Sequence, residues 1–107
     1  MIKLSQRLEA ISSLVPNNSK VIDIGCDHGL LDIYLYQRKI SLKVIASDVN
    51  ENALNNAKEN IIETRLGNGL DTLNETDDID TIIMSGIGAH TIVGILKNNL
   101  NKLKKIN

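Results

Sequence analysis

The sequence contains no phenylalanine and no tryptophan, and its only aromatic residues are Tyr34 and Tyr36. A hydrophobic core must therefore be built from isoleucine, leucine, valine and alanine. Base stacking on aromatic side chains, which RNA-binding modules commonly use, is poorly supplied. The net charge of −1 likewise does not indicate a nucleic-acid-binding surface over the chain as a whole. With 107 residues, the chain is expected to form one domain or part of one.

Cysteine, histidine and long apolar runs are also scarce. Cys26 is the only cysteine, which excludes an intramolecular disulfide and a multi-cysteine zinc site. His28 and His90 are not at ligand spacing with a second histidine or with cysteine, so no metal site is expected. The N-terminus lacks the uninterrupted apolar run of a signal peptide or a membrane span. We therefore expect a cytoplasmic protein.

Apolar periodicity divides the chain into alternating helices and strands. A helical pattern runs from Leu4 to Val15, and Ser5 is a candidate cap. Further helical patterns begin near residues 30 and 50. Asn50 can cap the second of these, which should bury Ala53, Leu54, Ala57 and Ile61. Four short apolar runs predict strands, at residues 20–25, 42–47, 62–66 and 79–85. This alternation predicts an α/β, Rossmann-like fold, with a mostly parallel, doubly wound sheet of about four strands.

The sheet is expected to be incomplete. After the fourth predicted strand, apolar residues recur at helical spacing and predict a final helix that presents Ile92, Leu96, Leu100 and Leu103. Nothing then continues the sheet, so the isoleucines of the fourth strand should lie near an uncovered edge. We therefore expect residues 1–107 to be the N-terminal, cofactor-binding portion of a larger domain whose C-terminal part is absent.

The most informative segment runs from Val21 to Gly29 and is followed by Asp48. A strand, a glycine-containing turn, a helix and a second strand that ends in a carboxylate can hold a nucleoside, with the carboxylate on the ribose hydroxyls. The dinucleotide pattern G-x-G-x-x-G is not present, and Asp27 stands between the two glycines. A carboxylate there repels a pyrophosphate and tolerates a cation. This favours S-adenosylmethionine, a phosphate-free nucleoside with a cationic sulfonium, over NAD. A strand–turn–helix without a ligand is the alternative.

Five segments share a pattern with one known family: Leu4-Ser5-Gln6-Arg7-Leu8, Asp23-Ile24-Gly25-Cys26-Asp27-His28-Gly29, Ala46-Ser47-Asp48-Val49-Asn50, Glu63-Thr64-Arg65-Leu66-Gly67-Asn68-Gly69-Leu70 and Ser85-Gly86-Ile87-Gly88. They resemble the bacterial tRNA (adenine(22)-N1)-methyltransferases, the TrmK family, from about residue 4 to residue 97. The chain departs from the family at Asp32, where proline is usual, and at Asn68, where aspartate is usual. The resemblance implies a class I S-adenosylmethionine-dependent fold that methylates N1 of an adenosine in tRNA. Binding of tRNA is expected to need the family's C-terminal part.

The predicted cofactor site combines the ends of the predicted strands and comprises Asp23, Gly25, Cys26, Asp27, Gly29, Asp48, Val49, Asn68, Gly69 and Ser85. Asp48 should accept both ribose hydroxyls, and its alternative role is an Asx turn. Asn68 should contact adenine, and its alternative is a plain Asn-Gly turn. Asp23 either meets the cofactor's amino end or receives N–H bonds from the loop. For Cys26 the alternative is packing, and for the glycines it is turn geometry.

Asp27 is the predicted catalytic residue. A carboxylate hydrogen-bonded to the exocyclic amine would raise the nucleophilicity of adenine N1, stabilise the developing positive charge and accept a proton. Its alternative role is to structure the loop. Two other functions remain open for the chain: a methyltransferase of this fold with another substrate, or a non-catalytic remnant of the fold.

Overall fold

The computed structural model describes residues 3–84 and 92–95. The helices and strands, in chain order, are α1 Gln6–Leu14, β1 Ser19–Ile24, α2 Leu30–Gln37, β2 Ser41–Asp48, α3 Asn55–Glu59, β3 Glu63–Leu66, β4 Thr81–Met84 and β5 Ile92–Ile95. Single 3-10 turns lie at Asp27–Gly29, Glu51–Leu54, Gly69–Thr72 and Glu75–Asp77. The predicted alternation of helices and strands is confirmed.

The strands of the described residues form one sheet in the order β3-β2-β1-β4-β5. The three pairs β1–β2, β1–β4 and β2–β3 are parallel, and β4–β5 is antiparallel. The chain winds from β1 to one side of the sheet and then returns to the other side of β1. In doubly wound sheets a ligand binds at such a switch point, outside the carboxyl ends of the strands. The predicted Rossmann-like α/β fold, with four parallel strands, is confirmed.

Two apolar clusters cover the two faces of the sheet. Val21, Val44 and Ile83 belong to the larger cluster, which includes residues of all three helices. Ile22 and Ile45 point to the opposite face and belong to a smaller cluster with the segment before β4. Since successive strand residues alternate between faces, Asp23 lies on the same face as Val21, under the helices.

The starts of two helical segments are capped as their sequences predict. The Ser5 hydroxyl oxygen accepts a hydrogen bond from the Leu8 amide at 3.3 Å, at the start of α1. The Asn50 side chain accepts one from the Asn52 amide at 2.9 Å. The prediction that the following helix buries Ile61 is wrong. The helix ends at Glu59, and Ile61 is 85% exposed while Ile62 is buried.

The prediction that Ile92 belongs to the final helix is wrong, because residues 92–95 form strand β5. Three of its four residues are the β-branched Ile92, Val93 and Ile95, which favour a strand. β5 pairs along the whole of β4, from Thr81 to Met84. β4 is therefore not an edge strand, and the expectation of an uncovered edge there is also wrong. Leu96, Leu100 and Leu103 lie outside the described residues.

Candidate functional site

A cleft of about 320 Å³ opens at the carboxyl ends of β1, β2 and β3. Its lining residues are Ile24, Gly25, Asp48, Val49, Gly67, Asn68 and Gly69. They form three walls, one at each strand end: residues 24–25 at the end of β1, residues 48–49 at the end of β2 and residues 67–69 after β3. The sequence predicts five of them as cofactor-binding residues, namely Gly25, Asp48, Val49, Asn68 and Gly69. The sheet therefore brings together groups that are up to 44 positions apart in the chain, from residue 25 to residue 69.

Asp48 ends β2 and joins two walls of the cleft. Its Oδ2 accepts the Asp27 amide at 3.2 Å, and its Oδ1 accepts the Asn50 amide at 2.9 Å. The bond to Asn50 is the Asx turn that was the alternative role of Asp48. Each carboxylate oxygen has a second lone pair. Asp48 can therefore hold the two loops and still accept hydroxyl groups from the cleft.

The loop after β1 is held by one carbonyl group of β2. The amides of Gly25 and Cys26 donate to the Ser47 carbonyl oxygen at 2.8 and 2.9 Å. Asp27 and His28 then adopt φ angles of 45° and 67°. Left-handed backbone is uncommon at residues other than glycine, and here two such residues follow each other. The loop presents the Asp27 side chain to solvent, where it is 69% exposed.

Four predicted site residues in the described part of the chain do not line the cleft: Asp23, Cys26, Asp27 and Gly29. The Cys26 thiol is buried 3.9 Å from the Ala53 carbonyl oxygen, and burial raises the pKa of this thiol. A Cβ on Gly29 would lie 3.3 Å from the Ala57 Cβ, so this glycine allows α3 to pack on the loop. Both positions fit the alternative roles of packing and turn geometry. Ser85 lies outside the described residues.

Asp23 forms a buried acidic pair with Asp32, which the sequence analysis names only as a departure from the family pattern. Both are fully buried, one on β1 and the other on α2. Neither carboxylate oxygen of Asp32 has a hydrogen-bond partner within the part of the chain that the structure describes. Burial, and the adjacent Asp23 carboxyl, hold the pKa of Asp32 well above its usual range. The signal in the sequence was the aspartate inside an apolar helical stripe.

The third wall of the cleft, Gly67 to Gly69, is fixed from below by Thr72. The Thr72 hydroxyl lies 2.8 Å from the Ser47 hydroxyl, and the Gly67 amide donates to the Asp48 carbonyl oxygen at 3.0 Å. A Cβ on Gly67 would lie 2.5 Å from the Thr72 Cγ2. Only glycine fits at this position while Thr72 keeps its place.

Arg65 ties the same wall to the acidic segment before β4. Its guanidinium donates to both carboxylate oxygens of Asp77, at 2.5 and 2.7 Å, and to the Thr72 carbonyl oxygen at 2.8 Å. A further bond reaches Glu63 at 2.7 Å. These contacts lower the pKa of Asp77. Most donors of Arg65 are occupied within the fold, so this residue supports the wall and is poorly placed to bind a ligand.

The donor set of the cleft fits a nucleoside without phosphate. Its wall residues offer one carboxylate, one amide side chain, backbone groups and the apolar side chains of Ile24 and Val49, and they include no lysine or arginine. Among these lining residues, a pyrophosphate would meet the Asp48 carboxylate without a lysine or arginine to compensate. A ribose diol and an apolar base match the same surfaces. The described residues contain no group of three or more His, Cys, Asp or Glu side chains placed to hold a metal ion.

Fold and cleft together define a Rossmann-like domain with a nucleoside-type site at its switch point. A family model described as a methyltransferase domain matches residues 4–107 of this chain. The chain belongs to this methyltransferase-domain family. None of the helices within residues 3–84 is long and apolar enough to cross a membrane.

Three relatives show where the similarity lies. The tRNA (adenine(22)-N(1))-methyltransferase of Bacillus subtilis is 29% identical over 95% of this chain and 46% of the relative. The ribosomal protein L11 methyltransferase of Staphylococcus haemolyticus is 31% identical over 94% of this chain and 34% of the relative. The structure of TrmK from M. capricolum with S-adenosyl-homocysteine is 36% identical, with a TM-score of 0.66, and the match covers 74% of this chain and 39% of that one.

The chain thus spans between about a third and a half of the length of the curated relatives it matches. The predicted resemblance to tRNA (adenine(22)-N1)-methyltransferases is confirmed as a similarity over nearly the whole chain.

Proposed function

We propose that this chain is the S-adenosylmethionine-binding part of a methyltransferase that modifies N1 of adenine in tRNA, at position 22 by similarity. One observation carries the proposal: a cleft whose described lining residues include Asp48 and no lysine or arginine, in a chain that is similar to TrmK with S-adenosyl-homocysteine. A cytoplasmic location belongs to the same proposal, because tRNA is the substrate.

The cleft residues have distinct roles in this proposal. The Asp48 carboxylate oxygens each accept one backbone amide, from Asp27 and Asn50. Their remaining lone pairs accept the ribose hydroxyls. Ile24 and Val49 provide apolar surface, and Val49 is 67% exposed and so available for contact. Asn68 presents an amide oxygen that can accept from the exocyclic amine of an adenine. The cofactor, when bound, supplies an electrophilic methyl group on a sulfonium.

Asp27 is the proposed catalytic residue. Its backbone N–H donates a hydrogen bond to the Asp48 carboxylate, which fixes the tip of the loop relative to the ribose-binding group, while the Asp27 side chain stays exposed. From there the carboxylate can accept a hydrogen bond from the exocyclic amine of an incoming adenine. A fixed negative charge favours the cationic N1-methylated product over the neutral substrate, which is the differential stabilisation that accelerates a reaction.

Replacement of Asp48 tests the cofactor site. Asp48→Asn should weaken S-adenosylmethionine binding by about ten- to a hundredfold, because a charge-assisted hydrogen bond contributes about 1.5–3 kcal/mol. Asp78→Asn is the matched control, since Asp78 pairs with Lys20 near the opposite end of β1. Calorimetric titration measures both. Equal affinities of parent and Asp48→Asn would contradict the assignment of Asp48.

Methyl transfer is tested in the full natural protein with unmodified tRNA. Asp27→Asn should keep cofactor affinity within a few-fold while turnover falls at least a hundredfold. Nucleoside analysis of the product should show N1-methyladenosine. The similarity to a ribosomal protein L11 methyltransferase favours a protein substrate as the second candidate. Methylation of a protein with no change in tRNA would establish this second candidate and refute the first.

A further inference from the structure

Ser47 occupies the junction of the three cleft walls. Its carbonyl oxygen accepts the amides of Gly25 and Cys26, which hold the loop after β1. Its hydroxyl is 2.8 Å from that of Thr72, beneath the wall after β3. The next residue is Asp48, which ends β2. Ser47 is thus hydrogen-bonded to the loop after β1 and to the segment after β3, and it directly precedes Asp48 at the end of β2.

The Ser47–Thr72 hydrogen bond lies in the interior of the fold. Ser47 is 1% exposed and Thr72 is 8% exposed. The Thr72 hydroxyl also lies 3.3 Å from the carbonyl oxygen of Gly69, a residue that lines the cleft. A buried hydroxyl that loses a hydrogen-bond partner costs free energy, so this bond favours one relative position of the two side chains.

We infer that Ser47 and Thr72 are positioning residues, whose hydroxyl pair sets the distance between the Asp48 carboxylate and the Gly67–Gly69 wall and so tunes affinity for the nucleoside. This inference rests on the proposed function, because it takes a nucleoside cofactor as the ligand. Neither hydroxyl needs to contact that ligand. Ser47 acts on it through Asp48, the next residue, and Thr72 acts through the Gly67–Gly69 segment that precedes it in the chain.

The chain contains a matched control for this bond. Ser19 and Ser41 form a second buried hydroxyl pair, also 2.8 Å apart, between β1 and β2 at their amino ends. Ser41 and Ser47 lie on the same strand, are 4% and 1% exposed and lose the same group on replacement by alanine. The two variants should therefore have a similar cost in stability. They differ in their distance from the cleft.

The test compares Ser47→Ala with Ser41→Ala by calorimetric titration with S-adenosylmethionine and with methylthioadenosine, which carries the nucleoside but no amino-acid end. Ser47→Ala should weaken both ligands about three- to tenfold, the effect of one neutral hydrogen bond. Ser41→Ala should leave both affinities within twofold of the parent. Equal affinities of the two variants would overturn the inference.

Thr72 provides a second route if Ser47→Ala fails to fold. Thr72→Val keeps the shape and removes the hydroxyl, whereas Thr72→Ser keeps the hydroxyl. Thr72→Val should lose affinity like Ser47→Ala, and Thr72→Ser should stay within twofold of the parent. The opposite order would show that the methyl group, and not the hydrogen bond, positions the wall.

A ligand-free measurement separates this inference from the proposed function. The Asp71 amide donates to the Asn68 carbonyl oxygen at 3.1 Å within the turn that Thr72 anchors. Its hydrogen exchange should become faster in Thr72→Val and remain unchanged in Ser41→Ala. Unchanged exchange in Thr72→Val would overturn the positioning role. A parent chain that binds neither ligand would instead refute the proposed function, and the tuning of nucleoside affinity with it.

Discussion

Replacement of the buried Asp32 by asparagine should stabilise the chain, and the gain should grow with pH. In the folded chain, burial and the neighbouring Asp23 carboxyl hold the pKa of Asp32 well above its usual range. In the unfolded chain the same carboxyl ionises near pH 4. The folded state therefore keeps a proton that the unfolded state releases. Asparagine has the same shape and cannot ionise.

The direction of the effect follows from proton linkage. Below about pH 4, Asp32 is protonated in both the folded and the unfolded parent, so its ionisation does not reduce the free energy of unfolding. As the pH rises towards the folded pKa, the parent loses about 1.4 kcal/mol of unfolding free energy per pH unit from this site. Asp32→Asn lacks this loss. The difference between variant and parent should grow at that rate from about pH 4 upward, until the folded carboxyl ionises.

Urea unfolding at several pH values between 4 and 8 measures this difference. Carboxylates that titrate in the opposite direction, such as Asp77, affect parent and variant alike and cancel in the comparison. Asp71→Asn, at an exposed position, is the control for the loss of one negative charge. Parallel pH profiles of parent and Asp32→Asn would refute the reasoning, since they would mean that Asp32 ionises equally in both states.

Two further predictions concern the wall after β3. Asp77→Asn should lower the unfolding free energy by about 2–3 kcal/mol at pH 7 and by less at low pH. Asp77 is 6% exposed and hydrogen-bonded to Arg65, and this ion pair weakens when Asp77 is protonated. Denaturant titration at pH 7 and at low pH measures the two differences in unfolding free energy. Gly67→Ala should cost about 1–3 kcal/mol through its contact with the Thr72 methyl group. Thr72→Ser removes that methyl, so a double-mutant cycle should show that it relieves part of the cost; strictly additive effects would contradict the contact.

The sequence predicts the parallel part of the fold well because each signal there is local. Ser5 and Asn50 are caps that act within three residues. The apolar runs of β1 and β2 are long and buried on both faces, as parallel strands usually are. Strand order follows less directly, since it depends on contacts between residues that are far apart in the chain.

Residues 92–95 show where periodicity misleads. Ile92 and Leu96 are four positions apart, which satisfies a helical pattern as well as the alternating pattern of a short strand. Without β5, the backbone N–H and C=O groups along one side of β4 would lack this strand partner. Pairing with β4 therefore favours a strand over a helix at residues 92–95. The same non-local effect places Asp32 beside Asp23, because an aspartate in a helical stripe gives no local indication of the partner that lies below it.

The candidate site divides in the same way. Asp48 and Asn68 follow directly from strand ends and a turn, and the structure places both at the cleft. Gly29 and Cys26 belong to the same predicted loop but face the helices instead, since the loop turns through left-handed angles at Asp27 and His28. Glycine usually marks left-handed backbone, but here left-handed backbone occurs at Asp27 and His28. The direction of the loop's side chains could therefore not be predicted from the sequence.

Calorimetric titration of this chain with S-adenosylmethionine, and with NAD under the same conditions, tests the central claim most directly. The account predicts saturable one-to-one binding of S-adenosylmethionine and no measurable binding of NAD. The reason is that the cleft's described lining residues offer a carboxylate for a ribose and no lysine or arginine for a pyrophosphate. Binding of NAD with equal or higher affinity would contradict the account.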